Sequence, residues 1–571
     1  MPPVRRLALL SVLTAPASTL LACGDSGGAA SASAGTTSPT TAQPTTATEA
    51  GTDAPTTAAP TTTDGSASAS GTTQATTGEL KLDVGVADTD TGGGQGSACQ
   101  QAEAAQSNQG CRFWAVDLPN AWQVQSSPAP EDQTYAIVAA NTSSDTATVS
   151  VYVGAEAVPL KTGQLPPDSI FVFALDNAHG IKNRESSYGT AYRVESDLPI
   201  TLYQFNPLDN STEVFSNDAS LLFPEHVLDE DYTAVTGDGT RLGFPMDFNA
   251  GAFVTVVAAQ DDTTVDLFPT KDIPIYPSAT KVKLMRGQTY TLMSNAVKSL
   301  LQNDAGQGNL SGTRVAADKP VAVFSGNVAS FEPTPQNGCC ADHLEHQMLP
   351  LSAWGTAYVV TAAAPNSGQT EDKVRVRLVG SFDGTKLTYS PAPPPGAPTT
   401  IDAYQTVAFT AASSFVVSAD QPFSVSEFLL SNEVITPDPT PDDDSDNGTW
   451  PGDPAMILVP PSAQYQGHYV FLVPKEYAET FVTVVRPAGA AVMLDGADVT
   501  QDPGWADVGS QGGTTWQRAH FSLEWGPHTV TAGGDAKVGI IVVGYDTAVS
   551  FGYAGGSGVE FIGPPPLPPP V

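Results

Sequence analysis

The sequence is short of positive charge. It holds 24 Lys and Arg against 60 Asp and Glu, a formal net charge of −36. Binding to nucleic acid, or to an anionic bilayer by charge, needs clustered cations, so both are disfavoured as partners. Long apolar runs are missing as well. No stretch outside the N-terminal leader approaches the roughly 18 or more apolar residues that a spanning helix needs. Cysteine is scarce, with five residues, and the seven histidines are scattered along the chain. There is no Gly-x-Ser-x-Gly elbow, and the glycine-rich run "TGGGQG" at 91–96 follows no strand and precedes no helix, so it is linker rather than a phosphate loop. Helical periodicity is absent from the body apart from "ACQQAEAAQSNQGC" at 98–111, room for a helical turn or two.

What is present begins with a leader. Arg5 and Arg6 precede an apolar stretch, Leu7 to Leu21, that is too short and too interrupted to span. It ends Leu20-Leu21-Ala22-Cys23 and resembles a bacterial lipoprotein signal, which implies removal of residues 1–22 and lipidation of Cys23. The expected location is the bacterial cell envelope, at the outer membrane or cell surface, held by lipid without a span. Residues 23–92 are nearly all Thr, Ala, Ser, Gly and Pro. They cannot bury enough apolar surface to offset their ordering entropy and read as a disordered tether. Residues 558–571 end "GPPPLPPPV", a polyproline II tail.

The body between them is rich in Val, Thr, Ala, Gly and Pro, a composition for strands and turns. It repeats. "VESDLPITLYQF" (194–205), "VAADKPVAVFSG" (315–326) and "VSADQPFSVSEF" (417–428) share Val-x-x-Asp-x-Pro followed by an alternating strand, with a weaker copy at 531–545. An apolar-Pro phrase leading to an aromatic strand recurs at 222–235, 348–360 and 459–473, and hairpins recur at 252–268, 374–389 and 480–496. A period of about 110 residues with about seven strands suits a β-sandwich. The expected fold is all-β, with tandem β-sandwich-like modules of about 100–120 residues at 93–196, 197–317, 318–419 and 420–557. A single large β-propeller-like ring is the alternative.

One stretch carries chemistry-bearing residues, "NGCCADHLEHQ" at 337–347. With Cys23 lipidated, Cys99, Cys111, Cys339 and Cys340 remain as disulfide candidates. Cys99 and Cys111 are spaced to close a small loop, and the fate of adjacent Cys339 and Cys340 stays open. Zinc hydrolases place two histidines four apart on a helix. His343 and His346 are three apart with prolines on both sides, so Asp342, His343, Glu345 and His346 read as a disulfide-pinned surface loop able to touch a ligand. A metal-dependent hydrolase built on Asp342, His343 and His346 is the alternative. In the acidic run 437–455, Asp442, Asp444 and Asp446 are weak calcium candidates, because the loop lacks the terminal glutamate of an EF-hand. No other cofactor is indicated.

"KPVAVFSGN" (319–327), "CCADHLEHQMLPLSAWGTAYVV" (339–360) and "GCRFWAVDLPN" (110–120) together resemble the bacterial IgGFc-binding-protein N-terminal domain family, over about Cys99 to Gly556. The chain departs from the family pattern at His346-Gln347, where Glu-Gln is expected. The resemblance implies extracellular binding or adhesion modules taking a protein or glycan ligand rather than an enzyme. A structural envelope spacer is a third reading.

Overall fold

The computed structural model describes residues 97–122, 129–182, 185–208, 216–242, 248–270, 279–295, 308–333, 341–365, 371–431, 452–475, 477–546 and 549–563. Cys23, Cys339, Cys340, Asp442, Asp444, Asp446, the tether and the end of the tail lie outside them. The described residues fall in one compact unit.

A single helix, α1 (Ala98–Ala105), precedes the strands; Ser97 caps it and Gln100 answers in a capping box. The first module runs β1 (Gly110–Ala115), β2 (Tyr135–Asn141), β3 (Ala147–Val153), β4 (Lys161–Leu165), β5 (Ser169–Leu175), β6 (Ser187–Thr190), β7 (Tyr192–Asn206) and β8 (Asp218–Leu222). The second runs β9 (Asp229–Thr233), β10 (Asp238–Leu242), β11 (Phe248–Ala250), β12 (Ala252–Ala258), β13 (Thr263–Phe268), β14 (Lys281–Leu284), β15 (Gln288–Met293), β16 (Arg314–Phe331) and β17 (Asp342–Gln347). The third runs β18 (Ala357–Val360), β19 (Val374–Gly380), β20 (Thr385–Ser390), β21 (Thr400–Ile401), β22 (Thr406–Ala411), β23 (Phe415–Ala419), β24 (Phe423–Phe428) and β25 (Met456–Leu458). The fourth runs β26 (His468–Val473), β27 (Glu479–Pro487), β28 (Val492–Leu494), β29 (Ala497–Asp498), β30 (Ala506–Gln511), β31 (Thr514–Ser522), β32 (Gly526–Ala532), β33 (Gly539–Asp546) and β34 (Val549–Ala554).

One antiparallel frame of strand pairs is common to all four; beyond it β6 pairs with β15 of the second module, β10 with β11 and β16, and β30 with β31. One sheet sets the opening strand (β1, β9, β18, β26) against an arm (β7, β16, β23, β32) whose other side carries a hairpin such as β3–β4 or β13–β14. The other sheet runs β5-β2-β7-β8, β15-β12-β16-β17, β22-β19-β24-β25 and β31-β27-β33-β34. Inward side chains of both sheets make each core, with Trp114, Tyr192 and Val194 in the first and Tyr358, Val376 and Val417 in the third. The all-β, tandem-sandwich reading therefore describes the molecule.

The module boundaries do not fall at the Val-x-x-Asp-x-Pro phrase, and this corrects the expected limits at 196/197, 317/318 and 419/420. β7 and β16 run straight through them, and the third lies between β23 and β24. The phrase is an arch: the chain leaves one sheet and returns in the other, so Glu195 and Ile200 both pair with the beginning of β1. Its aspartate fastens the corner to the hairpin strand. Asp197 Oδ1 accepts from Thr148 N (2.6 Å), Asp318 Oδ1 from Thr264 N (2.7 Å) and Asp420 Oδ1 from Lys386 N (2.8 Å). The phrase repeats so clearly because the arch demands it, and it lies mid-module. The apolar-Pro phrase is the true junction. Pro224, Pro350 and Pro461 each lead a short 3-10 turn, and eight residues on a buried tyrosine, Tyr232, Tyr358 or Tyr469, accepts from the backbone N–H of Asp229, Gly355 or Gln466. Each hydroxyl then donates to the arch region of its own module, at Val321 O, Phe423 O or Val538 O.

Candidate functional site

The last strand of each module converges on the others. β8 packs on β17, β17 on β25, β25 on β34 and β34 on β8, a closed cycle. The modules are sandwiches, as the repeat implies, rather than the blades of a propeller, and their last strands close into a ring. The closure is also built at the chain ends, where Val559 N donates to Gln106 O (3.0 Å) and Ser107 bridges to Gly558. Tyr203 of the first module donates to Gly555 O beyond the fourth (2.6 Å).

The cycle has an axis, and a carboxylate sits on it. Ala219, Glu345 and Met456 each stand five residues before the junction proline, and Gly552 is their counterpart in β34. All four backbone N–H groups donate to Asp218, at 2.9, 3.1, 3.1 and 3.4 Å respectively. One side chain thus satisfies equivalent donors from every module. Burial pushes the Asp218 carboxyl well up, and the backbone N–H bonds work against that rise.

One layer along the axis the pattern recurs with Asp342. Its Oδ1 accepts from Asn217 N and His343 N, both 2.7 Å, and its Oδ2 from Ser550 N (3.2 Å). Asn217 and His343 each precede their junction proline by seven residues; the third module's equivalent is Pro454, which has no N–H to give. Burial, and next the neighbouring Asp453, push the Asp342 carboxyl up.

The sequence stretch that drew attention is therefore a buried strand, β17, and not a surface loop; Asp342, His343, Glu345 and His346 are all within 1% of fully buried. The reason is the ring. What would be an edge strand of an isolated sandwich is covered on its free side by β8 and β25. Strand alternation puts His343 with Glu345 on one side and Asp342 with His346 on the other. The hydrolase constellation is thereby not assembled. His343 Nε2 lies 3.2 Å from Glu345 Oε2, whose Oε1 accepts from Gln204 Nε2 (3.0 Å). His346 Nδ1 donates to Gln347 O (2.8 Å), and Gln347 reaches the first module twice, through Ser220 Oγ and Phe223 N, both 2.8 Å. Burial depresses His343 to about 3 and His346 to about 4, so both are neutral at pH 7. Among the described residues no group of three or more His, Cys, Asp and Glu is arranged to hold a metal ion. Asp342 in particular spends its lone pairs on backbone N–H groups.

Of the cysteine candidates, Cys99 and Cys111 are joined in a disulfide. Sequence reasoning missed Asp218, Gln204 and Glu427. The signal for Asp218 was a lone acid in the apolar run "DASLLFP" just before a junction proline. No helix of the described residues is long and apolar enough to cross a membrane.

The family model described as IgGFc binding protein matches residues 218–544, more than half of the chain, starting at the axial Asp218. The human IgGFc-binding protein is 25% identical over 424 residues, which is 73% of this chain and 7% of that protein's length. The matched segment takes in the whole second and third modules and the fourth as far as β33, so the chain belongs to the IgGFc-binding protein family.

Proposed function

We propose that this protein is an extracellular binding protein, lipid-anchored through Cys23 at a bacterial cell surface, whose ring presents one end of its axis to a protein ligand. The observation that carries the reading is the placement of the chain ends relative to the axial strands. The residues after α1 lie against the proline-led turns, with His226 Nε2 at 3.0 Å from Ser107 O, and Gly563 N donates to Ser352 O. Both ends of the ring's chain are thus at the end where β8, β17 and β25 finish. We take the opposite end, where those strands begin, as the one offered to a ligand. The residues that open those strands, Asp218, Asp342 and Met456, stand at that outer end. Binding loops on a rigid scaffold are the usual way such folds take ligands.

The bonds that Asp342, Glu345 and Gln347 of β17 make to other modules support binding over catalysis, because those groups are committed to holding modules together. The human relative's name points to the Fc part of antibody as the first ligand to try, with glycans as the second class. The test immobilises the mature chain and measures binding of purified Fc, mucus glycoproteins and free glycans, with and without a calcium chelator. Saturable binding of a protein, reduced by charge reversal in 429–455 and not by substitutions near Gly563, is expected. Saturable turnover of a substrate without stable binding would overturn the reading. For the anchor, Cys23→Ala should release the protein from membranes; tight retention would defeat that part.

A further inference from the structure

Each of the first three modules ties the residue after its opening strand to the arch strand. Val116, Val235 and Thr361 are equivalent, three residues beyond Phe113, Tyr232 and Tyr358. Their partners, Gln204, Ser325 and Glu427, are equivalent too, each seven residues beyond the arch aspartate. In the first module Gln204 accepts from Val116 N and donates to Val116 O, both 3.1 Å. In the second, Ser325 Oγ accepts from Val235 N (3.3 Å) and donates to Val235 O (2.6 Å). Amide and hydroxyl achieve the same two-way clasp, because each is donor and acceptor at once. The third module has a carboxyl there. Glu427 is 2% exposed and its Oε1 accepts from Thr361 N (2.8 Å). An ionised carboxylate has no donor and could make only half of the clasp.

We propose that Glu427 is held as the neutral acid and completes the third clasp by donating its O–H to Thr361 O, making this clasp, unlike the equivalent amide and hydroxyl clasps of the first two modules, sensitive to pH. The side chain points into the sandwich with Phe423 and Val425, opposite Val376. The titratable and charged groups on the elements around it are Tyr358 on β18, Arg375 and Arg377 on β19, Glu371 and Asp372 before β19, Tyr545 on β33, Tyr465 ahead of β26, and Arg518 and His520 on β31. None supplies a paired cation. Arg377 turns to Glu332 (3.3 Å) and stacks on Phe428, Arg375 reaches Thr410 Oγ1 (3.4 Å), and Arg518 pairs with Glu371. Burial pushes the Glu427 carboxyl up to about 8.

The sign follows from linkage. A carboxyl with a raised folded-state value gives stability that is whole below its unfolded value, near pH 4.3. That stability is lost as pH rises through about 8, because the unfolded chain releases the proton first. The test measures the unfolding constant of the full chain against pH for wild type, Glu427→Gln and Glu427→Met. Between pH 5 and 7.5 the wild-type unfolding constant should rise about tenfold per pH unit relative to that of either variant, one proton's worth. At pH 7.5 Glu427→Gln should be at least as stable as wild type, since the amide has both halves of the clasp, and Glu427→Met less stable than Glu427→Gln. Parallel pH profiles would show that Glu427 is already ionised and overturn the proposal. So would failure of Glu427→Gln to fold at pH 6, because a neutral isostere with the same donor and acceptor must be tolerated if the acid is neutral.

Discussion

Replacing Asp218 by alanine should weaken the whole ring, although the residue contributes almost no apolar contact. In the structure its carboxylate accepts from Ala219, Glu345, Met456 and Gly552 at 2.9, 3.1, 3.1 and 3.4 Å. All four donors are on buried axial strands, so Asp218→Ala leaves them unsatisfied. An unpaired buried donor costs about 1–3 kcal/mol. Three at the middle of that range come to about 6 kcal/mol, and the long bond from Gly552 adds about 1 kcal/mol. Relief of the desolvated carboxylate works in the opposite direction, and the desolvation of a buried ion is itself several kcal/mol. We therefore expect a net loss of about 3 kcal/mol, with Asp218→Asn, which keeps one acceptor oxygen, losing less. Urea unfolding of the mature chain, followed by tryptophan fluorescence and by far-ultraviolet circular dichroism, reads the change. The axis also allows a rescue. Ala455, immediately ahead of β25, occupies the position equivalent to Asp218, six residues before its junction proline, so Asp218→Ala with Ala455→Asp should regain at least half of the loss. A loss below about 1 kcal/mol, typical of surface substitutions, or no recovery in the double variant, would refute the axial acceptor.

Three further outcomes follow from the same geometry. Tyr358→Phe removes both the acceptor for Gly355 N and the donor to Phe423 O; a loss of about 1–3 kcal/mol in chemical denaturation is expected, with Tyr232→Phe and Tyr469→Phe similar. Reduction of Cys99–Cys111, or Cys99→Ser with Cys111→Ser, opens a loop of sequence separation 12 and should cost about 2–3 kcal/mol on the loop-entropy scale, seen as a lower melting temperature with reductant in wild type and none in the variant. His343 and His346 are depressed to about 3 and about 4. Depressed histidines favour the folded state while both states are neutral, above about pH 6.5, and that stability falls as pH drops toward the folded values, because the unfolded chain takes up protons first. His343→Gln with His346→Gln should therefore flatten the stability profile between pH 6.5 and 4; an unchanged slope would mean that the imidazoles are not buried neutral.

Much of the architecture was legible in the order of residues. The alternation in "VRVRL" marks β19, and the recurrence of Asp-x-Pro and of Pro-then-Tyr counted the modules. These signals are local. An arch needs an acid to take up the hairpin's N–H, and a junction needs a proline and a tyrosine a fixed distance later, so each leaves the same mark wherever it occurs. The phase of the repeat was not legible. A period found by matching phrases is the same whether the phrase lies at the edge of a module or in its middle, and only strand pairing shows that β7 and β16 cross the supposed limits.

The character of 342–347 was decided wholly by the tertiary structure. By composition, two histidines and two carboxylates within five residues read as exposed or catalytic, since buried charge is costly. What offsets that cost is the closing of four modules on one axis. There, Asn217 and Ser550 come from modules far apart in the chain to donate to Asp342, and Gln204 crosses from the first module to Glu345. Sequence determined that this protein is a chain of β-sandwiches with fixed corners. Only the ring, which brings residues hundreds of positions apart within hydrogen-bond distance, decided that its most reactive-looking segment is the axle on which they are held.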